Sequence, residues 1–419
     1  MFRPAPKPDG RAMLFVFITV FLSLVGLGII MPVMPDLLVE LTGETKSHAA
    51  ELNGVLLFAY AGMQFVMSPI LGALSDRFGR RPVILVSLFA YSLDFLLMAI
   101  APTYAWLFAG RLLSGATAAT YSTANAFIAD ITPPDKRAAN FGILGAAFGL
   151  GFIIGPALGG FVGDHFGVRA PFFLASAVIM SNFIFGYFVF PETLTEERRR
   201  KFDWRRANPF GGLFTVGSRP LLAGVLTAYF IMQVAHYSLP GIWAFFAGVK
   251  FGWSQSQIGL SLAYVGVTAA IVQGGLIRKV VPLIGDVKAV LIGMASMTAS
   301  FIGYAFFTPS GEWVFVWVTI GALGGFMMPG MQSKMSEATP PDAQGELQGA
   351  IACLMSISMA FSPLMMSKLF AYFTEPGTGR DFPGAPFALS AVLIFISGII
   401  FFLTTRKIIE KTEEERAMI

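Results

Sequence analysis

Gly72-Ala-Leu-Ser-Asp-Arg-Phe-Gly-Arg-Arg81 places four charges and two glycines in a short loop between two long apolar runs. A connection this short makes the two flanking helices antiparallel neighbours. Its arginines have to stay in water, while its glycines let the backbone turn and the helices approach closely. The same alternation of apolar run and short polar break covers the whole chain on either side of the loop. A helix needs about 20 mostly apolar residues to cross a hydrocarbon core roughly 30 Å thick. Twelve runs qualify, at 13–34, 51–72, 82–101, 104–128, 139–162, 171–190, 221–247, 257–281, 287–307, 313–335, 344–372 and 385–405. The 419 residues are 55% hydrophobic and 13% charged, against about 25% charged in soluble domains. The fold class that follows is an all-α membrane protein with twelve transmembrane helices.

Net charge is +4, and its distribution says more than its size. An even number of crossings puts both termini on one side, together with 23 lysines and arginines; the opposite loops hold only Lys46, Arg169, Lys250 and Arg380. The positive-inside rule makes the basic side cytoplasmic, so a multi-pass protein of the inner membrane with both termini in the cytoplasm is expected. Charges scattered over short loops make no nucleic-acid patch. The apolar run after Arg3, Lys7 and Arg11 is longer than a signal-peptide core of about 7–15 residues and has no Ala-x-Ala-like exit, so it reads as an uncleaved first span. The only cysteine, Cys353, falls inside span eleven, which leaves no disulfide and no cysteine metal site.

The one long hydrophilic stretch, 191–220, separates six spans from six. The expected organisation is a six-helix bundle at 1–190, a cytoplasmic linker at 191–220, a second six-helix bundle at 221–405 and a cytoplasmic tail at 406–419. The halves match at an offset of 207: Asp130-Ile-Thr-Pro-Pro-Asp135 with Glu337-Ala-Thr-Pro-Pro-Asp342, Gly142 with Gly349, and Pro156 with Pro363. A match sustained over loop, helix start and mid-helix proline points to duplication. Two pseudo-symmetric six-helix halves recur in secondary transporters, with a substrate site near mid-membrane between them. Divergence is uneven, since Arg111 projects onto Val318 and the loop 72–81 onto a degraded counterpart around Gly285, Asp286 and Lys288.

Three charges lie within apolar spans: Asp94, Arg111 and Lys368. Lys368 is near a helix end and can snorkel to the interface. Asp94 sits seven residues before the outer end of span three, and Arg111 a similar distance into span four. Both therefore lie about 10–12 Å deep on consecutive antiparallel helices, in position to pair. An ionisable residue in the bilayer is by default a functional-site hypothesis. One reading is a static pair that keeps the carboxylate ionised. The sharper one, carried forward here, has Asp94 and Arg111 coupling proton exchange to substrate movement.

The glycines of 145–160 recur at three- and four-residue spacings, which puts several on one helix face, and small residues allow close helix contact in lipid. Pro156 removes a backbone hydrogen bond and bends the span. Gly151, Gly155, Pro156 and Gly159 are thus expected to pack a gating helix against span eight or eleven. Polar groups expected to line a cavity are Tyr60 and Gln64 in span two, Tyr121 and Asn125 in span four, Gln233, His236, Tyr237 and Trp243 in span seven, and Tyr264 and Gln273 in span eight. His236 has the added property of titrating near neutral pH.

These residues together resemble the major facilitator superfamily over essentially the whole chain, and within it the twelve-span drug:proton antiporters nearest the tetracycline exporters. Gly72-x-x-x-Asp76-Arg77-x-Gly79-Arg80-Arg81 matches the superfamily loop between spans two and three. Gly110-Arg111 with Gly115 matches the fourth-span motif, and Gly149-x-Gly151-x-x-x-Gly155-Pro156-Ala-Leu-Gly159-Gly160 the fifth-span motif typical of antiporters. Gly26-Leu-Gly28-Ile-Ile-Met-Pro32-Val-Met-Pro35 and Tyr91-Ser-Leu-Asp94 look like the tetracycline-exporter group in particular. The resemblance implies that Gly72, Asp76, Gly79, Arg80 and Asp130 form a conformational latch, remade as helices rock, with Arg77 and Arg81 as positive-inside anchors. The chain departs from those exporters where they look to carry intramembrane acids in spans one and nine and a histidine in span eight, having Ser23, Met297 and Ala269 instead.

The expected function is alternating-access secondary transport, with proton-coupled export of small amphipathic compounds or drugs. Rivals are an importer or uncoupled facilitator of a metabolite or lipid, and a non-transporting membrane sensor. No activated nucleophile, metal cluster or cofactor motif marks an enzyme. The expected partners are a small-molecule substrate and the lipid bilayer, with the proton as coupling ion, no nucleic acid, and the chain acting as a monomer.

Overall fold

A computed structural model of the protein describes residues 10–118, 120–132, 137–194, 196–199, 220–340 and 343–417. Among these the regular elements are all helices, because backbone in lipid has to satisfy its own hydrogen bonds. The chain forms two compact units, residues 1–208 with 252–266, and residues 209–251 with 267–419.

The first unit holds α1 (Gly10–Ile30), α2 (Met34–Thr42), α3 (Lys46–Phe78), α4 (Arg80–Ile100), α5 (Tyr104–Ala116), α6 (Thr120–Ile131), α7 (Arg137–Phe166) and α8 (Ala170–Val189). Within it α1 lies along α7, α4 along α8 and α3 along α5. The chain bends by 50° between α1 and α2, where Pro32 and Pro35 withdraw backbone donors. Span four, expected as one helix over 104–128, is broken into α5 and α6. The Thr117 hydroxyl bonds back to the carbonyls of Leu113 (2.9 Å) and Ser114 (3.3 Å), competing with the helix ladder at the break.

The second unit holds α9 (Pro220–His236), α10 (Ser238–Lys250), the later part of α11 (Gln255–Ile271) with a π turn at Val272–Leu276, α12 (Ile277–Ile284), α13 (Asp286–Phe306), α14 (Trp313–Gly321), a 3₁₀ turn at Ala322–Phe326, α15 (Met327–Glu337), α16 (Gln344–Thr374) and α17 (Ala385–Ala417). The start of span eight, Gly252–Gly266, groups with the first unit. Among the described residues ten helical stretches are long and apolar enough to cross a membrane, and the bent pair α1–α2 makes eleven. The residues of the remaining expected span, 104–128, fall in the broken pair α5–α6, which is not among the eleven.

Irregularities recur at the sequence repeat. Ile30, the last residue before the first break, corresponds to Tyr237 between α9 and α10, and Thr117 and Ala118 correspond to Gly324 and Gly325 in the 3₁₀ turn. Pro156 and Pro363 sit inside α7 and α16. Gly79 (φ 106°, ψ 164°) and Gly285 (φ 80°, ψ 157°) open α4 and α13 in the same left-handed backbone region, which glycine alone adopts without strain.

Hydrophobic burial drives little helix association in lipid, so small polar residues add specificity. Ser92 and Ser176 bond reciprocally between α4 and α8, and Asn182 donates to the Thr19 carbonyl on α1 (3.0 Å). In the second unit Ser390 donates to Ser238 (2.9 Å) and Ser397 to the Ala228 carbonyl (2.6 Å). Each such contact is worth about 0.6 kcal/mol.

Candidate functional site

At the basic end of the first unit, Arg80 follows Gly79 at the start of α4, and its side chain is only 11% exposed. Its guanidinium reaches Asp76 (2.6 Å) one turn back on α3, Asp130 (3.0 Å) at the end of α6 and the Ser75 hydroxyl (2.8 Å). One cation thus serves two acids from two helices, the three groups that the sequence picks out. A carboxylate that the sequence does not pick out completes the cluster. Glu192, in the stretch expected as linker, accepts the N–H groups of Arg80 (2.9 Å) and Arg81 (3.2 Å). It caps donors that the first turn of α4 leaves unpaired and places a negative charge at the helix's positive end.

A side chain at Gly79 would run into the Glu192 carboxylate, so this glycine is fixed by contact as well as by backbone. Gly72 faces open space, and no packing contact ties it to the cluster. Arg77 is exposed over Phe78, in keeping with an anchor. Arg81 does more than anchor: it donates to the Tyr187 carbonyl (2.6 Å) with its guanidinium over the Tyr187 ring. Glu192→Ala is expected to lower stability by about 1 kcal/mol, the usual cost of a lost N-terminal cap. Thermal unfolding of the detergent-purified protein measures it.

Asp94 on α4 and Arg111 on α5 meet as their matched depths predict. Arg111 Nη2 donates to Asp94 Oδ2, with side-chain exposures of 4% and 0%. The guanidinium lies 5.6 Å from the Tyr60 ring centroid and 6.0 Å from that of Phe95, and Nη2 also meets Met98 Sδ at 3.1 Å. Desolvated cation–ring contacts of this kind hold an arginine in a fixed pose. Asp94 Oδ1, on the other hand, has no hydrogen-bond partner among the described residues. It points at Gly110, where a Cβ would stand 2.7 Å away. Buried polar atoms are nearly always hydrogen-bonded, which sets this oxygen apart.

The glycines of span five pack differently from expectation. Gly151 meets Leu24, Gly155 meets Gly28 and the Val25 carbonyl, and Gly159 meets the Ile29 carbonyl, all on α1 rather than on span eight or eleven. The contact with span eight uses the next face round. Pro156 presents its carbonyl to Gly259, Ile153 fills the space at Gly266, and Gly160 and Gly163 face Gln255. At the last turn of α7, Asp164 accepts hydrogen bonds from the start of α11: Ser254 Oγ (2.8 Å), Gln255 N (3.1 Å) and Ser256 N (2.9 Å).

The remaining polar candidates scatter. Tyr60, Gln64, Tyr237 and Tyr264 are half-buried, Gln233 is buried, and His236 and Gln273 are exposed, Gln273 on the π turn. Trp243, expected on a cavity wall, belongs instead to the core of the second unit. It is 2% exposed and packs against Tyr304 (5.2 Å between ring centroids) and Phe387 (6.2 Å). The side chains of Tyr121 and Asn125 lie outside the described residues.

The model of the Major Facilitator Superfamily matches residues 16–363 and 284–418. The tetracycline resistance protein of class C from Escherichia coli is 38% identical over 363 residues, covering 87% of this chain and 90% of that protein. The class E protein from Escherichia coli is 35% identical over 376 residues, covering 88% and 90%. Among solved structures, the human organic anion transporter MFSD10 superposes with a TM-score of 0.70 at 24% identity, over 94% of this chain and 100% of that one.

Proposed function

The chain belongs to the major facilitator superfamily, and we propose that it is a proton-coupled secondary transporter that exports small amphipathic compounds, drugs among them, by alternating access. The Asp94–Arg111 pair carries the reading, because it combines full burial, a cation held by aromatic rings and one free carboxylate oxygen. A proton arriving at Asp94 forms an O–H bond at Oδ1, neutralises the carboxylate and frees Arg111 from its charge partner. Loss of that proton to the other side restores the pair. Each protonation state thus favours a different helix arrangement, which is what coupling requires. The Asp76–Arg80–Asp130 cluster is the latch of one such arrangement, capped by Glu192.

The loop-charge bias supports a cytoplasmic position for the basic end and for both termini, in an inner membrane. Drug export follows from the relatives named as tetracycline resistance proteins. The exchange of acids and a histidine for Ser23, Met297 and Ala269 favours cargo other than a cationic tetracycline–metal chelate. The transporter is read as a monomer that needs no cofactor.

Efflux of a panel of amphipathic compounds from proteoliposomes, with and without a proton uncoupler, tests the reading. Asp94→Asn is expected to cut proton-driven efflux by at least tenfold while binding persists. Unchanged flux in that variant defeats the proton role of Asp94. Flux insensitive to the uncoupler points to a facilitator, and no flux at all to a sensor.

A further inference from the structure

We propose that Asp164 is a positioning residue for transport: its carboxylate holds the start of span eight against span five, as a second latch at the end opposite Arg80. The proposal rests on alternating access as read above, with the Asp164 end facing outward.

Three neutral donors converge on Asp164, and all belong to the first residues of α11 and the residue before it. Those N–H groups have no partner within their own helix, and the helix dipole draws an anion to them. Asp164 therefore acts as a cap supplied from another helix. The neighbourhood is built for contact. Gly160 and Gly163 leave no room for a Cβ beside Gln255. Gln255 is 7% exposed and donates Nε2 to Asp36 Oδ2 (2.7 Å) on α2, and Asp36 pairs with Lys46 (3.5 Å) at the start of α3. Four helices are tied at one point.

Two features separate this knot from ordinary packing. Span eight is the helix divided between the two compact units, its first residues in one and the remainder in the other. Asp164 itself is exposed, so water can take over each of its hydrogen bonds when the helices part. A fully buried carboxylate losing the same donors would be trapped. The Arg80 latch shares one cation between acids, and this one shares one acid among neutral donors.

The test uses the full-length protein in proteoliposomes, with Cys353→Ser and Val33→Cys. Val33 is fully buried and adjoins Gly163. A membrane-impermeant maleimide added outside reports opening. Asp164→Ala is expected to label about tenfold faster than its parent, the shift that loss of a hydrogen bond to a charged group produces. Asp164→Glu should return most of the parental rate, and Ser254→Ala should give a smaller rise of the same sign. Transport KM is expected to move with the labelling rate, which a merely structural loss would not produce. If Asp164→Ala fails to fold, Ser254→Ala decides. Parental labelling in either variant overturns the latch, even where efflux by the parent is intact. Absence of proton-driven efflux in the parent defeats the transport reading separately.

Discussion

Arg111→Ala is expected to leave a protein that folds poorly and moves nothing, because among the described residues Arg111 is the one cation paired with the Asp94 carboxylate. Removing one partner of a buried ion pair costs about 3–5 kcal/mol, most of it the penalty of the unpaired charge. Met98, Tyr60 and Phe95 surround the guanidinium and offer the carboxylate nothing that replaces it. The double variant Asp94→Asn/Arg111→Gln removes both charges and keeps two polar groups of similar size. It is expected to recover most of the lost stability and none of the proton coupling. Thermal unfolding in detergent and uncoupler-sensitive efflux, measured on the same preparations, read the two effects apart. A double variant as unstable as Arg111→Ala would mean that the charges themselves do not dominate the site.

Gly159→Val is expected to cost about 3 kcal/mol or more, as overpacking does where backbone blocks relaxation. Its first added carbon would fall on the Ile29 carbonyl, a main-chain group in the last turn of α1. A flexible side chain could swing aside, and a helix backbone cannot. Gly149 lies on the same helix with nothing within 4 Å of its missing Cβ. Gly149→Ala should therefore be neutral or mildly stabilising, by up to about 1 kcal/mol. Survival of each variant after heating, followed by size-exclusion chromatography, gives the comparison. Equal loss in both would show that glycine content, rather than the α1 contact, is what the helix needs.

The parts of the site that could be read from sequence are those with few alternatives. Arg80 lies in a short water-facing loop with Asp76 one turn away, and Asp94 and Arg111 are matched in depth within apolar runs. Charges in such places have almost nowhere else to go. Glu192 was not legible, because its partners on α4 are over a hundred residues away and its role there is to cap main-chain donors rather than to match a charge. Its only trace is an acid directly after span six, before the basic run that follows. Glycine spacing gave a common face for Gly151, Gly155 and Gly159 but could not name the helix it meets. An aromatic next to a bend, such as Trp243, fits a cavity wall and a core equally well in sequence. The break after Ala116 has no proline to announce it, and the Thr117 hydroxyl competes for the helix carbonyls instead.

The paired irregularities bear on how the two halves differ. The break that follows Ile30 and the one at Tyr237, those at 117–118 and 324–325, and the prolines at 156 and 363 share one offset, whereas Arg111 faces Val318 and Arg80 faces Val287. Both halves share these backbone irregularities, whereas the Asp94–Arg111 pair occurs in one, so bending of the helices does not depend on that pair. For engineering, this separates two tasks that natural examples present together. A new cargo can be sought in the half that lacks a counterpart of the Asp94–Arg111 pair, away from the buried ions of the other.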